Sequence, residues 1–524
     1  MKRFVVMVSA LALLTLGAAN AQTLIFGQSG LPASLDTAQD GNSLTVSYQV
    51  VENLVAYAPG TADVAPGLAL SWEPNEDATV WTFKLREGVT FHDGTEFNAE
   101  AVKFNFDRWN NQDNEYAYAA EGKDLSAWTY VFGGYYGVEG YLLESVEAPD
   151  PTTVVMTLTR PNGFLPQALA ASYYGMHSPT AIMEGGLEYG TPAGTVVGTG
   201  PFSFVEWIDG DRVTLARNDN YWGEPAQVEG IVFRGIEESA TRLAELEAGT
   251  IDIATNLSPD DYETITSNPD LKIPPKTEGD LRLGYIGMHQ GNAPFDNLLV
   301  RQAVAYAIDK EAIIDAFYGE LGQVAAEFIP AALFGHAGLE PYPYDPERAK
   351  ELLAEAGFPD GFDTQFWYMP VSRPYYPNPQ DLAEAVATYL ADVGINVELM
   401  TEDWGIYLDN YKQGKYPMYM LGWSADFADP DNFITPFFNP TEAVGAFGWD
   451  NPEVGTLIEQ AQSAGDPSER EIYYRELAQI IYDELPALPM VNPTALDVTR
   501  ANIDGFLPSA LGSTVSFASV TKTE

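Results

Sequence analysis

Apolar residues recur at helical spacing in three stretches of the second half of the chain. One stretch follows Asp345-Pro346, an N-cap residue with proline at the first helical position, and stops at Gly357. The same three- and four-residue spacing runs through residues 382–393 and 300–308. Because this spacing places the apolar side chains on one face, each stretch predicts an amphipathic helix packed against a core.

Alternating apolar and polar residues, the pattern of a half-buried strand, accompany these helices. Residues 395–399 alternate directly after the second helix. Residues 202–204 and 213–215 alternate on either side of Asp209-Gly210, a pair that favours a tight turn. Strand and turn patterns are denser in the first half of the chain, and helical patterns are denser in the middle of the second half. The mixture predicts an α/β protein with a domain boundary near residue 280.

Composition narrows the class of protein. The 524 residues are 46% apolar, enough for at least two packed domains. The net charge of −49 comes from 75 acidic and 26 basic residues spread along the chain. Phosphate binding needs clustered Lys and Arg, so nucleic acid is excluded as a partner and anionic membranes are disfavoured. Without cysteine, the chain has neither disulfides nor a thiol nucleophile.

The first residues have the pattern of a signal peptide. Residues 2–3 (Lys-Arg) precede an apolar run over 4–16, and residues 19–21 (Ala-Asn-Ala) have the small side chains that a signal peptidase recognises. We therefore expect a signal peptide over 1–21, cleaved before Gln22. The apolar run is shorter than the roughly 18 residues that a membrane anchor needs, and no cysteine is available to carry a lipid. The mature chain is expected in the periplasm.

Short segments spread over nearly the whole chain have a recognisable order. They are Gly198-Thr199-Gly200-Pro201-Phe202, Val205-Glu206-Trp207, Tyr221-Trp222-Gly223, Thr241-Arg242-Leu243, Gly249-Thr250-Ile251-Asp252, Val300-Arg301-Gln302-Ala303 and Tyr306-Ala307-Ile308-Asp309-Lys310. Together they resemble the signature of the family 5 extracellular solute-binding proteins of ABC importers. The resemblance implies an α/β, two-lobed periplasmic-binding-protein-like fold with hinge closure and an extra subdomain in the first lobe.

The same resemblance implies how the chain is divided and what it works with. It places the first lobe at residues 22–278 plus 496–524 and the second lobe at 279–495. It also implies that the protein is a monomer, and that its partners are the permease subunits of an ABC importer in the membrane.

Two further segments resemble the dipeptide-binding branch of that family. They are Met369-Pro370-Val371-Ser372-Arg373-Pro374-Tyr375 and Gly422-Trp423-Ser424-Ala425-Asp426. In that branch the arginine at the Arg373 position holds the C-terminal carboxylate of the peptide, and the aspartate at the Asp426 position holds the N-terminal ammonium. Tyr375 and Trp423 are expected to pack on the ligand. Ser424-Ala425 departs from the more usual Thr-Gly of the branch, which puts the pocket size in doubt.

Simultaneous binding of both peptide ends would make the separation of Arg373 and Asp426 a measure of ligand length. An extended dipeptide spans about 7 Å, at about 3.5 Å per residue. A longer peptide would leave one desolvated charge unpaired, which is strongly unfavourable. The predicted function is therefore binding of short peptides, with dipeptides preferred and tripeptides next, and their delivery to the permease.

Metal and cofactor chemistry finds less support in the residues. Asp426, Asp429 and Asp431 lack the glycine and the distal glutamate of a calcium loop. Asp429, which precedes Pro430, is the better candidate for a helix N-cap. No metal site and no cofactor are predicted, because the four histidines are far apart: His92, His177, His289 and His336.

Other ligands and other classes of protein stay open. Within the same transport role, the ligand is alternatively an oligopeptide, a peptide-like metabolite, an oligosaccharide, haem or another non-peptide solute. From different classes, an exported hydrolase and a ligand-dependent sensor or chaperone-like module are the alternatives. No Gly-x-Ser-x-Gly elbow is present to supply a serine nucleophile, and we predict that the protein is not an enzyme.

Overall fold

A computed structural model of the chain describes residues 23–37, 44–117, 126–276 and 279–523. The predicted signal peptide over 1–21 and its cleavage point before Gln22 lie outside these residues. In the described ranges, no helix is both long enough and apolar enough to cross a bilayer. Helices and strands alternate along the whole chain around three main sheets, so the predicted α/β class is confirmed.

The first sheet joins the first described strand to a strand from near the C-terminus. Within the described residues its seven strands have the spatial order Leu271–Lys272, Leu496–Arg500, Ile253–Leu257, Thr23–Gln28, Gly230–Gly235, Arg212–Arg217 and Phe202–Ile208. The central strand Thr23–Gln28 is parallel to both of its neighbours. The other pairs are antiparallel.

The second sheet is built from the second half of the chain. Its six strands in the described chain have the order Gly322–Val324, Ala487–Pro493, Arg282–Met288, Met418–Ser424, Phe362–Trp367 and Ile395–Met400. All seven residues of Arg282–Met288 are buried, as expected for a central strand covered on both faces. Gly284 in this strand lies under the Tyr376 ring, so any Cβ there would collide with the ring.

The third sheet is inserted between strands of the first sheet. In the described chain it has four antiparallel strands in the order Ala69–Pro74, Val80–Leu85, Thr153–Leu158 and Leu143–Asp150. Two short hairpin-like pairs complete the strands: Val55–Tyr57 with Val64–Pro66, and Ile503–Asp504 with Thr521–Lys522.

Helices cover the sheets. The α-helices of the described residues are Ala99–Asn110, Ser126–Phe132, Leu165–Leu169, Pro179–Gly185, Ser239–Ala248, Tyr262–Ser267, Leu298–Ala307, Lys310–Phe317, Pro346–Glu355, Pro379–Asp392, Trp404–Lys412, Asp431–Phe438, Pro440–Phe447, Pro452–Ser463 and Pro467–Glu484. Short 3-10 helices lie at Ser47–Gln49, Ser172–Tyr174, Gly186–Glu188, Pro259–Asp261 and Gly319–Leu321.

The helices and strands predicted from local patterns are confirmed. The helix Pro346–Glu355 begins after Asp345, whose side chain accepts a hydrogen bond from the Arg348 backbone N–H. The other two predicted helices are Pro379–Asp392 and Leu298–Ala307, and the predicted strand is Ile395–Met400. The predicted hairpin pairs Phe202–Ile208 with Arg212–Arg217, and Gly210 adopts a positive φ of 71° in the loop between them.

Within the described chain, the backbone passes between the first and second sheets twice, at residues 273–281 and at 494–495. Asp280 joins the two crossings, because its carboxylate accepts the Ala495 N–H at 2.7 Å and the Lys276 ammonium at 2.8 Å. The predicted lobe limits at 278/279 and 495/496 stay a prediction, and the first of them adjoins residues 277–278, outside the described ranges.

Buried apolar residues of the third and second sheets form one continuous core cluster. The rings of Phe164 and Phe427 stack across this junction with centroids 5.4 Å apart. The Gly163 N–H also donates to the Gln462 carbonyl at 2.7 Å. The first sheet is packed around separate clusters. The third sheet is therefore held directly against the second-sheet region, and the space between them is where the site lies.

Candidate ligand-binding cavity

A cavity of about 900 Å³ lies between the region of the third sheet and the second sheet. Residues 131–164 supply one wall. The opposite wall comes from the loop at Arg373, the helix Trp404–Lys412, the end of the strand Met418–Ser424 and the helix Asp431–Phe438. All four predicted ligand-binding residues, Arg373, Tyr375, Trp423 and Asp426, line this one cavity.

Arg373 lies in the loop after the strand Phe362–Trp367. Its backbone is fixed by a reciprocal pair of hydrogen bonds with Tyr376, at 3.1 and 2.9 Å. The guanidinium carbon lies 4.9 Å from the centroid of the Trp404 ring, a cation–π contact that orients the side chain. The side chain is exposed, and no described carboxylate forms an ion pair with it. Arg373 therefore presents an unneutralised planar cation to the cavity.

Asp426 lies two residues beyond the strand Met418–Ser424, where open α/β sheets place their ligands. Its backbone N–H donates to Asn432 Oδ1 at 2.9 Å, and its carboxylate accepts the Tyr173 hydroxyl at 2.9 Å. Burial raises the pKa of Asp426 above its ordinary value, although the hydrogen bonds from Tyr173 and Asn432 act in the opposite direction. Among the described residues, no cation forms an ion pair with this half-buried carboxylate.

Tyr375 and Trp423 form part of the cavity wall. The Tyr375 ring packs directly on Gly422, where a Cβ would collide with it, and burial raises the pKa of Tyr375 to about 12. The Trp423 ring packs edge-on against Phe437, with centroids 5.5 Å apart. The Trp423 indole N–H donates to Asn432 Oδ1 at 3.0 Å, so its polar edge is directed into the wall.

Asp429 has a different surrounding from Asp426, although only two residues separate them. The helix begins at Asp431 with Pro430 as its N-cap residue, so the prediction of Asp429 as N-cap is wrong by one position. The Asp429 carboxylate still accepts the Asp431 N–H at 2.9 Å. Its principal partner is Arg470, which donates two hydrogen bonds of 2.7 Å, and both side chains are fully buried. The sequence contained no local signal for this pair.

Other functional candidates were not singled out by sequence reasoning. Tyr173, Trp404, Tyr411, Arg160 and Lys412 all lie on the cavity or contact its charged residues. The helical spacing of Trp404, Leu408, Tyr411 and Lys412 is the signal that could have placed them on one face. Arg160 belongs to the opposite wall, and Tyr173 contacts Asp426 from a distant part of the chain, so no local pattern indicates either residue.

The glycine-rich signature at residues 198–200 is part of the scaffold. Gly198 and Gly200 lie against the backbone carbonyls of residues 49–50, where a Cβ would collide with main-chain atoms. The buried carboxylate of Glu52 accepts hydrogen bonds of 2.7–2.8 Å from three side chains of the signature segments: Thr199, Tyr221 and Trp222. Burial raises the pKa of Glu52 and these bonds oppose the shift. The signature therefore stabilises the first-sheet region, and its residues 198–200 are not among those that line the cavity.

Side chains that could bind a metal ion are dispersed over the described ranges. No three His, Cys, Asp or Glu side chains lie close enough together there to hold a metal ion. Asp431, which borders the cavity, accepts hydrogen bonds from Thr435 at 2.7 Å and from Gln462 at 3.0 Å. Its oxygen is thus engaged by neutral donors.

The fold and the cavity together are those of a solute-binding protein. Two large sheets are joined by two crossings of the described chain, and the cavity offers a cation and an anion with which no described residue forms an ion pair. Residues 63–445 match the middle region of the bacterial extracellular solute-binding proteins of family 5, and the chain belongs to this family. The predicted resemblance is confirmed.

Individual relatives cover nearly the full length of the chain. The dipeptide-binding protein of Escherichia coli (strain K12) is 31% identical over 96% of this chain and 95% of the relative. Heme-binding protein A of Haemophilus influenzae is 32% identical over 90% of this chain and 87% of the relative.

Solved structures agree with the predicted two-lobed fold class. The structure of HbpA2 from Haemophilus parasuis has a TM-score of 0.86 at 30% identity, covering 96% of this chain and 100% of that chain. A dipeptide-binding protein from Pseudoalteromonas sp. SM9913, in complex with Met-Leu, has a TM-score of 0.77 at 27% identity, with coverage of 96% and 100%. The fold class is thereby confirmed.

Proposed function

We propose that this protein captures short peptides, dipeptides above all, and delivers them to the permease subunits of an ABC importer. The observation that carries the proposal is the presence of Arg373 and Asp426 on one cavity, each without an ionic partner among the described residues. A free peptide is a zwitterion, and its two ends are the charges that this pair lacks. The E. coli relative and the Pseudoalteromonas structure, both dipeptide-binding proteins, support the same ligand class.

Arg373 is suited to the carboxylate end of the ligand. The guanidinium donates through a rigid planar fork that matches the two oxygens of a carboxylate. Its contact with the Trp404 ring and the fixed backbone turn at Tyr376 hold the fork in place before the ligand arrives. Such preorganisation reduces the entropy that binding must overcome.

Asp426 is suited to the ammonium end. Its carboxylate is partly desolvated, which strengthens a charge-assisted hydrogen bond to an incoming cation. Tyr173 donates to Oδ1, and the hydrogen bonds from Tyr173 and Asn432 hold the carboxylate in place at the cavity. Both charged residues belong to the proposed lobe 279–495, so their separation selects ligands by length. The other residues of the cavity contact the ligand side chains.

The proposed division into lobes, 22–278 plus 496–524 and 279–495, is supported by the membership of the sheets. Strands before residue 273 and after 495 form the first and third sheets, and strands between them form the second. The Asp280 contacts at the two crossings mark the proposed hinge. The wall at residues 131–164 already packs against the second-sheet region at Phe164 and Phe427, so opening about this hinge would admit and release a ligand held by Arg373 and Asp426.

The proposal extends to the setting in which the protein works. The family is extracellular, and we propose that the signal peptide over residues 1–21 is cleaved and that the mature chain is a monomer in the periplasm without a lipid anchor. Its role is to bind and deliver the ligand unchanged, so we propose no enzymatic activity.

Haem is the second candidate ligand, favoured by the similarity to heme-binding protein A of H. influenzae. Against it, none of the four histidines, all of which are described, lines the cavity. Histidine is a frequent axial ligand of haem iron. Asp426 would repel the carboxylates of haem but attract the ammonium of a peptide, and peptides therefore stay the preferred class.

The experiment is a calorimetric titration of protein that has been unfolded, stripped of ligand and refolded. The titrants are Ala-Ala, its N-acetyl form and its C-terminal amide. We expect the free dipeptide to bind about 30-fold or more tightly than either blocked form, since each block removes one charged partner of a desolvated group. A thermal unfolding curve matching that of untreated protein checks the refolding. Absence of binding by all three titrants, together with binding of haem, would contradict the proposal.

A further inference from the structure

The basic side chains around the cavity outnumber what one peptide carboxylate requires. Among the described residues, three basic side chains line it: Arg160, Arg373 and Lys412. The whole chain has only 26 Lys and Arg against 75 Asp and Glu, so partners for cations are abundant elsewhere. Nevertheless, none of the three forms an ion pair with a described carboxylate. Cations left unpaired in so acidic a chain indicate an anion that arrives from outside.

Arg160 is the residue for which this argument is strongest. It lies on the wall opposite Arg373, two residues beyond the strand Thr153–Leu158. One guanidinium nitrogen donates to the Gly140 carbonyl at 2.8 Å, which fixes the side chain but does not neutralise it. Burial lowers the pKa of Arg160, and no carboxylate of the described ranges offsets that shift. The exposed guanidinium is thus anchored at the cavity, and no carboxylate of the described residues forms an ion pair with it.

The acidic side chains that border the cavity do not act as ionic partners of Arg160. Asp426 is assigned to the ligand ammonium, and Asp431 is engaged by Thr435 and Gln462. Glu442 lies near Tyr411. Burial raises the pKa of Tyr411 most, and the charge of Glu442 raises it further.

Lys412 has a simpler explanation than Arg160. It ends the helix Trp404–Lys412, where a cation is favoured by the helix dipole. Arg160 is anchored by the Gly140 carbonyl, a neutral acceptor, and does not lie at the end of a helix. A zwitterion bound at Arg373 and Asp426 would leave Arg160 without an anion.

We propose, on the basis of the proposed function, that the cavity selects peptides with a second carboxylate in a side chain, and that Arg160 receives it. The ligand class is thus a short peptide containing aspartate or glutamate. The cavity of about 900 Å³ is near the upper end of the range of about 300–1,000 Å³ for ligand pockets, so it has room for a long side chain beside the dipeptide backbone. Arg160 acts here as a specificity-determining residue.

The test compares Ala-Glu with Ala-Gln, which have the same shape and differ in one charge, and uses Ala-Ala as the reference ligand. Titrations are made with the full mature protein and with three variants: Arg160→Gln, Arg160→Lys and Lys412→Gln. For the wild type we expect Ala-Glu to bind about tenfold or more tightly than Ala-Gln, as for one added charge-assisted hydrogen-bonded pair. Arg160→Gln should reduce this ratio to about one, and Arg160→Lys should restore part of it.

The variants separate the possible outcomes. Unchanged binding of Ala-Ala by Arg160→Gln shows that its fold and main site are intact, and is the expected result. Equal binding of Ala-Glu and Ala-Gln by the wild type would overturn the inference while leaving dipeptide binding established. Two outcomes would overturn the role of Arg160. In one, Lys412→Gln loses the affinity ratio of Ala-Glu to Ala-Gln while Arg160→Gln keeps it. In the other, Arg160→Gln loses affinity equally for Ala-Glu, Ala-Gln and Ala-Ala. Failure of every peptide to bind the wild type would instead contradict the proposed function itself.

Discussion

Two Arg–Asp combinations, whose aspartates are neighbours in sequence at positions 426 and 429, show how the same side chains serve different purposes. Asp429 and Arg470 are completely buried and bind each other through two hydrogen bonds of 2.7 Å. Asp426 and Arg373 line the cavity and have no ionic partner among the described residues. Asp429 and Arg470 neutralise each other inside the protein, whereas Asp426 and Arg373 are both available to a charged ligand.

The difference is visible in the surroundings of each arginine. Burial, the largest single effect, would lower the pKa of Arg470, but the charge and hydrogen bonds of Asp429, together with the smaller effects of Tyr474 and Asp431, outweigh burial and raise the pKa. Phe164, Phe334 and Tyr474 surround its guanidinium, so the charge has no route to solvent or ligand. Arg373 rests on the single ring of Trp404 and is exposed. The comparison teaches that an absent counterion, rather than the residue type, identifies a binding group here.

The largest expected effect comes from breaking the buried pair. Asp429→Asn leaves the Arg470 charge buried without its counterion and should reduce the free energy of unfolding by about 3–5 kcal/mol. The matched control is Glu471→Gln, which breaks the exposed Glu471–Arg475 pair on the same helix and should change stability by less than about 1 kcal/mol. Chemical denaturation of both variants measures the difference. Equal stability of the two variants would show that the buried Asp429–Arg470 pair contributes no more to stability than the exposed Glu471–Arg475 pair.

The pH dependence of binding is the next largest effect. Ammonium binding needs ionised Asp426, whose pKa burial raises above the ordinary value of 3.8. Affinity for a free dipeptide should therefore be constant above that raised pKa and fall, by about tenfold per pH unit, as the pH drops through it. The N-acetyl dipeptide has no ammonium and should bind weakly with a flat profile. A midpoint at or below 3.8 for the free dipeptide would show that Asp426 is not the titrating group.

The smallest of these effects concerns the hydroxyl that positions Asp426. Tyr173→Phe removes the 2.9 Å hydrogen bond, which should weaken dipeptide binding at neutral pH by about 0.5–1.5 kcal/mol. That bond lowers the pKa of Asp426, so the midpoint of the pH profile should also move upward. Titrations across pH, with the exposed Tyr136→Phe as control, provide the measurement. A midpoint that moves downward would contradict the assigned hydrogen bond.

Much of the local structure could be predicted because its signals are local. Asp345 followed by a proline, and glycines such as Gly357 after the last apolar residue, specify helix ends through contacts within one or two turns. The order of short motifs indicated Arg373 and Asp426, and both lie on the cavity. These features depend on neighbours in sequence or on a linear order of segments.

The rest depends on contacts between distant parts of the chain. Tyr173 reaches Asp426 across 253 positions, and Arg470 reaches Asp429 across 41. Arg160 arrives from the inserted third sheet, whose position against the second sheet results from packing at Phe164 and Phe427. Such pairings have no period and no spacing rule, so the sequence alone could not indicate them.

The most direct test of the central claim crosses two variants with two blocked ligands. Arg373→Gln and Asp426→Asn are each titrated with Ala-Ala, its C-terminal amide and its N-acetyl form. If Arg373 holds the carboxylate, Arg373→Gln should bind the free and amidated peptides equally but still lose affinity for the acetylated one. Asp426→Asn should show the reverse pattern. In the wild type, blocking either end of the peptide should cost about 2–5 kcal/mol of binding free energy. Each variant should abolish that cost for one block and keep it for the other. Variants that both keep the full sensitivity of the wild type to both blocks would contradict two-ended recognition by this pair.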